Sequence, residues 1–210
     1  MLRYVYGEDL GKFPTLRDSM FAHRAAQFRD RLGWDVAVDA NGHERDRYDA
    51  MNPLYVIWQR PDGSHGGSMR FLPTTGDTMV NDHFRHLAGA EIRHPLIWEC
   101  TRFCQAPDAE ARISSGLMLG ALEVGLNFHL TDLVGVFDAR MVRIYRRLGW
   151  EPTILGRQGR GRAALSVGLW TCTDETRPGL LDKALVSAAF SQAWFDDSFG
   201  ALPRRMAAAG

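Results

Sequence analysis

The chain has 210 residues, of which 45% are hydrophobic and 24% charged, and its 25 basic and 25 acidic side chains give a formal net charge of zero. This length predicts a single domain, which we place at residues 1–202, followed by a disordered tail at residues 203–210. The balanced charge argues against a general nucleic-acid binder, and the lack of an apolar run of about 20 residues argues against a membrane-spanning helix. Three cysteines without paired spacing, and an N-terminus unlike a leader peptide, predict a cytoplasmic protein with reduced thiols.

Hydrophobic periodicity divides the chain into strands and helices. Strands are predicted at residues 2–6, 54–59, 67–72, 97–105, 133–137, 152–155 and 164–170. Helices are predicted at residues 15–32, 109–129, 140–148 and 178–194. The turn Arg60-Pro61-Asp62-Gly63 joins the second and third strands into a hairpin. Strands predominate early and alternate with helices later, which predicts an α/β fold with a single mixed sheet flanked by helices.

Four charged side chains interrupt segments that are otherwise apolar. Arg24 lies in the hydrophobic stripe of the first helix, Arg70 lies in the third strand, and Glu99 and Arg102 lie in the fourth strand. Because a buried charge is costly unless it is paired, each of these residues predicts a partner or a polar ligand. A salt-bridge network without catalytic function explains this pattern as well as an active site does.

Acids that could pair with these arginines lie in the loop at residues 39–50. Asp46 and Asp49 are three residues apart and follow Glu44 closely. The loop is predicted to be too polar for the core, so a solvated position is the default for any one of these acids. The alternative is that one of them binds a cationic ligand or pairs with Arg24.

The fourth predicted strand has a charged residue on each of its two faces. Side chains of a strand alternate between the faces of the sheet. One face is predicted to carry Glu99, Thr101 and Phe103, and the other Trp98, Cys100, Arg102 and Cys104. This alternation predicts that Arg102 points away from Glu99.

The sequence predicts neither a metal site nor covalent catalysis. His83 and His86 have the spacing of two ligands on one helical face, but no third ligand accompanies them. No nucleophile-elbow motif surrounds Ser114 or Cys104. The glycine patterns around Gly161 run into a predicted strand instead of opening a helix, which is the wrong context for binding a pyrophosphate.

One stretch of the chain is strongly basic. Residues 140–162 contain seven arginines and a single acid, Glu151, for a net charge of +6. An ordinary solvated helix accounts for this pattern. A docking surface for an acidic partner or a phosphate-bearing group accounts for it equally well.

Taken in chain order, the unusual charged and aromatic positions form a known pattern. They are Arg24, Phe28, Trp34, Asp46, Asp49, Arg70, Phe84, Glu99 and Arg102, within segments such as Arg-Leu-Gly-Trp, Glu-Arg-Asp-Arg-Tyr-Asp and Trp-Glu-Cys-Thr-Arg-Phe. In these residues, spread over about eighty positions, the chain resembles the acyl-homoserine lactone synthases, the autoinducer synthases of bacterial quorum sensing. The resemblance extends from about Leu2 to about Cys172.

The resemblance implies an acetyltransferase-like (GNAT-like) α/β fold and a two-step reaction. An acyl chain passes from acyl carrier protein to the amine of S-adenosylmethionine, and lactone closure then releases methylthioadenosine. S-adenosylmethionine is a substrate in this scheme, and no cofactor is expected. The implied catalytic residues are Glu99, as general base, with Arg70 and Arg102. The aromatic side chains of the site are implied to bind the sulfonium, and the charged side chains to bind the amine and the carboxylate. The implied substrate-binding residues are Arg24, Phe28, Trp34, Asp46, Asp49, Phe84, Thr101 and Phe103.

The resemblance also implies an acyl pocket and a docking surface. The pocket is expected to include Leu117, Met118 and Gly135. A threonine near the position of Gly135 tends to accompany 3-oxo acyl groups in the family, so glycine favours an unsubstituted or hydroxylated chain. Acyl carrier protein, with its acidic recognition helix, is expected to dock on Arg143, Arg146 and Arg147. Two alternatives remain: an acyl-CoA-dependent N-acetyltransferase of the same fold, and a noncatalytic domain that binds a small charged ligand.

Overall fold

A computed structural model describes residues 1–200 of the chain, and the tail predicted at residues 203–210 lies outside the described residues. The strands are β1 (Leu2–Tyr6), β2 (Leu54–Gln59), β3 (His65–Pro73), β4 (Ile97–Gln105), β5 (Asp132–Asp138), β6 (Thr153–Gln158) and β7 (Leu165–Thr171). The α-helices are α1 (Pro14–Ala25), α2 (Met79–His83), α3 (Arg85–Ala88), α4 (Ala111–Asn127), α5 (Ala139–Leu148), α6 (Arg177–Ala184) and α7 (Ala188–Phe199). Short 3₁₀ turns lie at Gly7–Lys12, Arg47–Ala50, Gly161–Ala163 and Asp174–Thr176.

The strands form one mixed sheet in the order β1-β2-β3-β4-β5-β7-β6. Neighbouring strands are antiparallel except for β4 and β5, which are parallel and pair over three residues only, as far as Glu99 and Val134. Beyond this point β4 continues beside β3, and β5 continues beside β7. The sheet therefore opens between β4 and β5. This architecture confirms the predicted single mixed sheet flanked by helices.

Helices cover the sheet on both faces, and β2 contributes side chains to the hydrophobic cluster on each face. Val56 points into the large apolar cluster under α4, which includes Leu117. Its neighbours Tyr55 and Ile57 point into a second cluster under α1, which includes Leu16. The β2 side chains are buried on both faces of the sheet, and for this reason the sequence of the strand is a nearly continuous apolar run.

The first predicted helix, at residues 15–32, is an α-helix in its first half only. Its second half, Ala26–Arg31, is a π-helical turn. There the Leu32 N–H donates to the Gln27 carbonyl oxygen, five residues earlier, at 3.0 Å. Gly33 ends the segment as predicted, with a φ of 66°. Single π turns of this kind are uncommon and occur often beside functional sites.

The prediction of a single helix at residues 178–194 is wrong, because the structure has two helices there, α6 and α7. Leu185 adopts a left-handed conformation, with a φ of 55°, and ends α6. The Ser187 side chain then accepts the N–H of Phe190 and caps the start of α7. The apolar spacing runs across this break, so periodicity did not reveal it, although serine is a common first residue of a helix.

Two glycines bring α4 close to the sheet. A Cβ atom at Gly116 would lie 2.4 Å from Cζ3 of Trp58, and one at Gly120 would lie 2.5 Å from Cγ1 of Val56. Both distances are far below van der Waals contact, so the packing of α4 requires glycine at both positions. Although α4 is long and apolar, no helix among residues 1–200 has both the length and the hydropathy to cross a membrane.

We expect Gly116→Ala to destabilise the protein by about 1–3 kcal/mol, the usual cost of overpacking a core. Alanine favours the helix by about 1 kcal/mol, but the buried Trp58 ring cannot yield without moving its neighbours. Gly179→Ala in α6 is the matched control, because a Cβ there meets nothing within 4 Å. The control should be neutral or slightly stabilising in equilibrium urea unfolding. A Gly116→Ala protein as stable as the wild type would contradict the packing argument.

Candidate active site

Arginines and acids from separate parts of the chain converge on the α1 face of the sheet. Arg24 of α1 donates from Nε to Glu44 at 2.6 Å and from its two terminal nitrogens to Asp49 at 2.8 and 2.9 Å. Arg70 of β3 donates to Asp46 at 2.5 and 2.9 Å and to Asp49 at 2.8 Å. These charge-assisted bonds join a helix, a loop and a strand.

Arg102 of β4 completes this set of six residues, which we call the charged network. Its Nη2 lies 3.0 Å from a Glu44 oxygen and 2.7 Å from an Asp46 oxygen. Thr101, the preceding residue, accepts a hydrogen bond from Arg70 Nε at 3.1 Å. Three guanidinium groups thus balance the charge of three carboxylates.

Half of the network is buried and the other half is partly buried, and this corrects the prediction that the loop at residues 39–50 is too polar for the core. Arg24 and Arg70 are each 1% exposed, and Glu44 is fully buried. The loop enters the core because its acids are paired there with arginines. The expectation that an acid of this loop pairs with Arg24 is confirmed, by Asp49 and also by Glu44.

Asp49 lies at the centre of the network. Burial opposes its ionisation, but Arg24 and Arg70 outweigh that effect and hold the pKa of this carboxyl well below its ordinary value. Tyr55 donates its hydroxyl to Asp49 at 2.6 Å. Burial and the neighbouring carboxylate raise the pKa of Tyr55, so this hydroxyl remains a donor.

A bulge in β4 brings Arg102 to the network. In the pairing with β3, two β4 residues, Arg102 and Phe103, oppose the single residue Met69. Arg102 has a φ of 55°, the left-handed conformation seen at the first position of such bulges. The extra residue shifts the alternation, so Arg102 joins Thr101 on the α1 face and Phe103 packs against the α4 cluster. The predicted face assignment, with Phe103 beside Glu99 and Arg102 opposite, is therefore wrong for these two residues.

Glu99 lies on the same face, under the N-terminus of α2. Its side chain is buried and accepts the N–H groups of Met79 and Val80 at 3.0 and 2.5 Å. Burial raises its pKa to about 7, although these two hydrogen bonds and the charge of Arg70 favour the ionised form. A carboxyl with such a pKa gives and takes a proton readily near neutral pH.

Aromatic rings border the charged network on one side. Phe28 and Trp34 are stacked, with their centroids 5.1 Å apart and 13° between the ring planes. The Arg102 guanidinium lies 5.3 Å from the Phe28 centroid. Trp34 is 43% exposed and so offers an open face to a ligand. Phe84 lies apart from them, against the small apolar cluster that contains Val80, and its role in substrate binding stays a prediction.

An apolar cavity lies where β4 and β5 separate. It is lined by Thr101 and Arg102 next to the network and by residues under α4, among them Met118. Gly135 and Phe103 also line it, whereas the predicted pocket residue Leu117 lies outside its lining, in the core. The remaining lining residues are Met69, Cys100, Ala121, Leu133, Val136, Tyr145, Trp150 and Trp170.

The predicted docking residues are exposed together on α5. Arg143, Arg146 and Arg147 point to solvent, and Arg146 makes a long ion pair, 3.4 Å, with Glu151. An exposed apolar side chain, Ile144, lies among them on the same helix. The surface is thus both basic and apolar.

Three buried residues of the site were not among the predicted ones: Glu44, Tyr48 and Tyr55. Glu44 could have been found by counting charges, since three arginines in apolar segments need three acids. Tyr48 is 4% exposed, and its ring lies under the Arg70 guanidinium, 5.4 Å away. No local pattern distinguishes the two tyrosines from ordinary core residues, so their roles follow from tertiary structure alone.

Solved structures of two kinds share this fold. The CoA-dependent acyl-homoserine lactone synthase BjaI, solved with S-adenosylmethionine and isopentyl-CoA, aligns with a TM-score of 0.80 at 21% identity over 90% of each chain. A "putative N-acetyltransferase" from Lactobacillus plantarum aligns with a TM-score of 0.55 at 14% identity, over 82% of this chain and 98% of that one. The fold is therefore that of the acetyltransferase-like (GNAT-like) α/β proteins.

Sequence comparison narrows this class to a family. Residues 12–177 match the family model described as autoinducer synthase. The acyl-homoserine-lactone synthase of Rhizobium etli is 45% identical over 181 residues, which cover 82% of this chain and 85% of that protein. The chain belongs to the autoinducer synthase family and is an enzyme.

We expect Arg24→Met to destabilise the protein by about 3–5 kcal/mol, because it leaves Glu44 and Asp49 buried without their shared partner. Arg29→Met is the matched control: Arg29 pairs with Asp30 at a similar distance, 2.7 Å, but both residues are about half exposed. Solvent screens that pair, so its loss should change stability little. Urea unfolding of the two variants measures how much stability is lost when the same kind of ion pair is removed from a buried and from an exposed position. Equal losses of stability would contradict the argument.

Proposed function

We propose that this enzyme transfers an acyl chain from acyl carrier protein to the α-amine of S-adenosylmethionine and then closes the lactone, producing an N-acyl-homoserine lactone and methylthioadenosine. In this scheme S-adenosylmethionine is a substrate that is consumed, and neither step requires a cofactor. The observation that carries the proposal is the position of Glu99, a buried carboxyl on β4 two residues before Thr101, which both accepts a hydrogen bond from Arg70 of the charged network and lines the apolar cavity. Membership of the autoinducer synthase family supports the same reaction.

In the first step, Glu99 accepts the proton that the α-ammonium group must lose before its nitrogen can attack. An α-amine has an ordinary pKa of about 7.7 to 8.0. Against the pKa of about 7 for Glu99, the transfer is uphill by only about 1 kcal/mol. An ordinary glutamate would be a much weaker base for this proton. The amine then attacks the thioester carbonyl carbon, the amide bond forms and the thioester C–S bond breaks. The nitrogen loses its second proton to the thiolate of the carrier, and Glu99 releases the first proton to solvent.

In the second step, the carboxylate of the substrate attacks the carbon next to the sulfonium. The new C–O bond closes the lactone, and the breaking C–S bond leaves methylthioadenosine as a neutral thioether. No proton moves, so the protein has only to hold the substrate in a folded conformation. The stacked rings of Phe28 and Trp34, together with the edge of the network at Asp46 and Arg102, are suited to hold the sulfonium and the carboxylate.

The acyl chain is assigned to the cavity between β4 and β5. Its lining is mostly apolar, with Met118 under α4 and Gly135 on β5. A Cβ at Gly135 would lie 3.0 Å from the Cys100 carbonyl oxygen and 3.3 Å from Cζ3 of Trp170. Glycine therefore leaves space in the cavity that a side chain would fill, and it offers no hydroxyl to a 3-oxo group. These facts support an unsubstituted or hydroxylated acyl chain.

The exposed arginines of α5 support a carrier protein as donor. Arg143, Arg146 and Arg147 carry three charges on one solvent-facing surface, and Ile144 adds an apolar contact. A surface of this kind suits an acidic helix, because charge attraction guides the encounter and apolar contacts hold the complex. BjaI is described as CoA-dependent, so the choice of donor requires a direct test.

We expect Glu99→Gln to lower the rate of acylation at least 100-fold, the scale of general base catalysis, in single-turnover assays that follow amide formation and methylthioadenosine release. In the wild type, the rate should rise with pH through about 7, because Glu99 must be ionised to accept a proton. The variant should lose this rise near pH 7 and retain only the rise that follows deprotonation of the substrate amine, near pH 7.7 to 8.0. Its melting temperature should change little, because removal of a costly buried charge offsets the hydrogen bond that the amide loses. Full acylation by Glu99→Gln would refute the assignment.

We expect the triple reversal Arg143→Glu, Arg146→Glu and Arg147→Glu to raise the KM for acyl carrier protein by roughly tenfold or more. The KM for S-adenosylmethionine and the rate with an acyl-CoA should stay unchanged. Added salt should raise the KM of the wild type and lower that of the variant, since it screens attraction in one and repulsion in the other. The control reverses the exposed Arg29, Arg93 and Arg112. An unchanged KM for the carrier, or a preference for acyl-CoA in the wild type, would overturn the donor assignment.

A further inference from the structure

Glu99 depends on α2 for its two hydrogen-bond donors, and α2 is only five residues long. A helix of this length is not stable by itself, so contacts with the rest of the protein must define its position. Val80 anchors it in the core, and the side-chain amide of Asn81 exchanges two hydrogen bonds with the backbone of Ile92, both at 2.9 Å. These contacts fix the helix from the side that faces away from the charged network.

A second set of contacts fixes α2 from the network side. The Tyr48 hydroxyl donates to Asp82 of α2 at 2.7 Å, and Arg47 pairs with the same carboxylate oxygen. Tyr48 is itself held by the network: its backbone N–H donates to Asp46 at 2.9 Å, and its ring lies under the Arg70 guanidinium. The aromatic ring of His83 meets Tyr48 edge-on, at 6.5 Å. Tyr48 therefore links the charged network to the helix that holds Glu99.

We propose that Tyr48 and Asp82 are positioning residues for Glu99: their hydrogen bond fixes α2 so that the Met79 and Val80 N–H groups stay on the Glu99 carboxylate. Neither residue contacts the reacting atoms in the reaction proposed above. The inference rests on that proposed role of Glu99 as the base. It adds two residues that act through a helix, and it connects the substrate-binding side of the site to the proton acceptor.

The charges around Glu99 allow an effect of the position of α2 to be distinguished from a direct effect of the Asp82 charge. The charged groups that face Glu99 are Arg70 from β3 and Asp82 from α2, while its partner on β5 is the apolar Val134. Arg70 lowers the pKa of Glu99, and the negative charge of Asp82 raises it. The two N–H donors lower it as well, so loosening α2 and removing the Asp82 charge shift the Glu99 pKa in opposite directions.

Two conservative substitutions separate these effects. Tyr48→Phe removes the hydrogen bond and keeps both the ring under Arg70 and the Asp82 charge, so the Glu99 pKa should rise. Asp82→Asn keeps an acceptor for the Tyr48 hydroxyl and removes the charge, so the Glu99 pKa should fall. For Tyr48→Phe we expect kcat to drop three- to tenfold, the effect of one lost hydrogen bond, with the KM for S-adenosylmethionine unchanged.

The test uses the full-length enzyme with glutamate labelled at the side-chain carboxyl carbon, so that carbon-13 NMR follows Glu99 without any turnover. The signal that is missing in Glu99→Gln identifies the residue. The pH dependence of kcat is measured in parallel. Tyr6→Phe serves as control, because Tyr6 is a half-buried tyrosine on β1 that packs on Phe199. This control should leave the Glu99 titration and kcat at their wild-type values.

Opposite shifts of the Glu99 titration in Tyr48→Phe and Asp82→Asn, with matching shifts of the acid limb of kcat, would support the proposal. If Tyr48→Phe lowers only the melting temperature and leaves the titration and kcat in place, Tyr48 is structural and the proposal is overturned. If Glu99→Gln keeps the acid limb at its wild-type position near pH 7, the assignment of the base fails instead. The NMR titration still reports in that case whether Tyr48 controls the position of α2.

Discussion

The mutual neutralisation of three arginines and three carboxylates, of which Arg24, Arg70 and Glu44 are buried and the other three partly buried, is the constraint on which the site depends. Each charge alone would cost several kcal/mol to bury, and the attraction within the network roughly repays that cost, so its net contribution to stability is modest. Its contribution to geometry is larger, because Arg24, Arg70 and Arg102 come from a helix and two strands and share acids from one loop. Any shift of one element leaves a buried charge unpaired. The network therefore ties the position of α1 and of the loop to the sheet.

The sheet contributes two irregularities that place chemistry beside the network. The bulge in β4 rotates Arg102 onto the α1 face, where its left-handed backbone costs about 1–2 kcal/mol that its contacts with Glu44 and Asp46 offset. The short parallel pairing of β4 and β5 ends at Glu99, so the sheet opens just beyond the proposed base. Because of these two features, one strand presents charged groups on one face and lines the apolar cavity beside them.

The sequence predicted those parts of the protein that repeat a local pattern. The strands and the hairpin followed from alternation, and the pairing of Arg24 followed from the cost of burying a charge. The face of the sheet on which Arg102 lies could not be predicted. A bulge depends on the pairing with the partner strand, and it inverts the alternation of side chains without a signal in the local sequence. Glu44 seemed solvated, since an acid in a polar loop looks the same whether or not arginines surround it. The helix at residues 79–83 is short and held by tertiary contacts, so no periodicity could indicate it.

Charge balance gives a physical reason why Glu99 stands apart from the network in the proposed reaction. The network is neutral within itself, so it adds no net charge to the site. S-adenosylmethionine carries a sulfonium, an ammonium and a carboxylate, and its net charge of about +1 at neutral pH matches the single negative charge of ionised Glu99. When the ammonium proton passes to Glu99, both partners become neutral, and no net charge is created in a buried place where it would be costly. In the proposed reaction, the burial that raises the Glu99 pKa suits it to act as a base near neutral pH, and the positive charge of the substrate would hold it ionised until the proton moves.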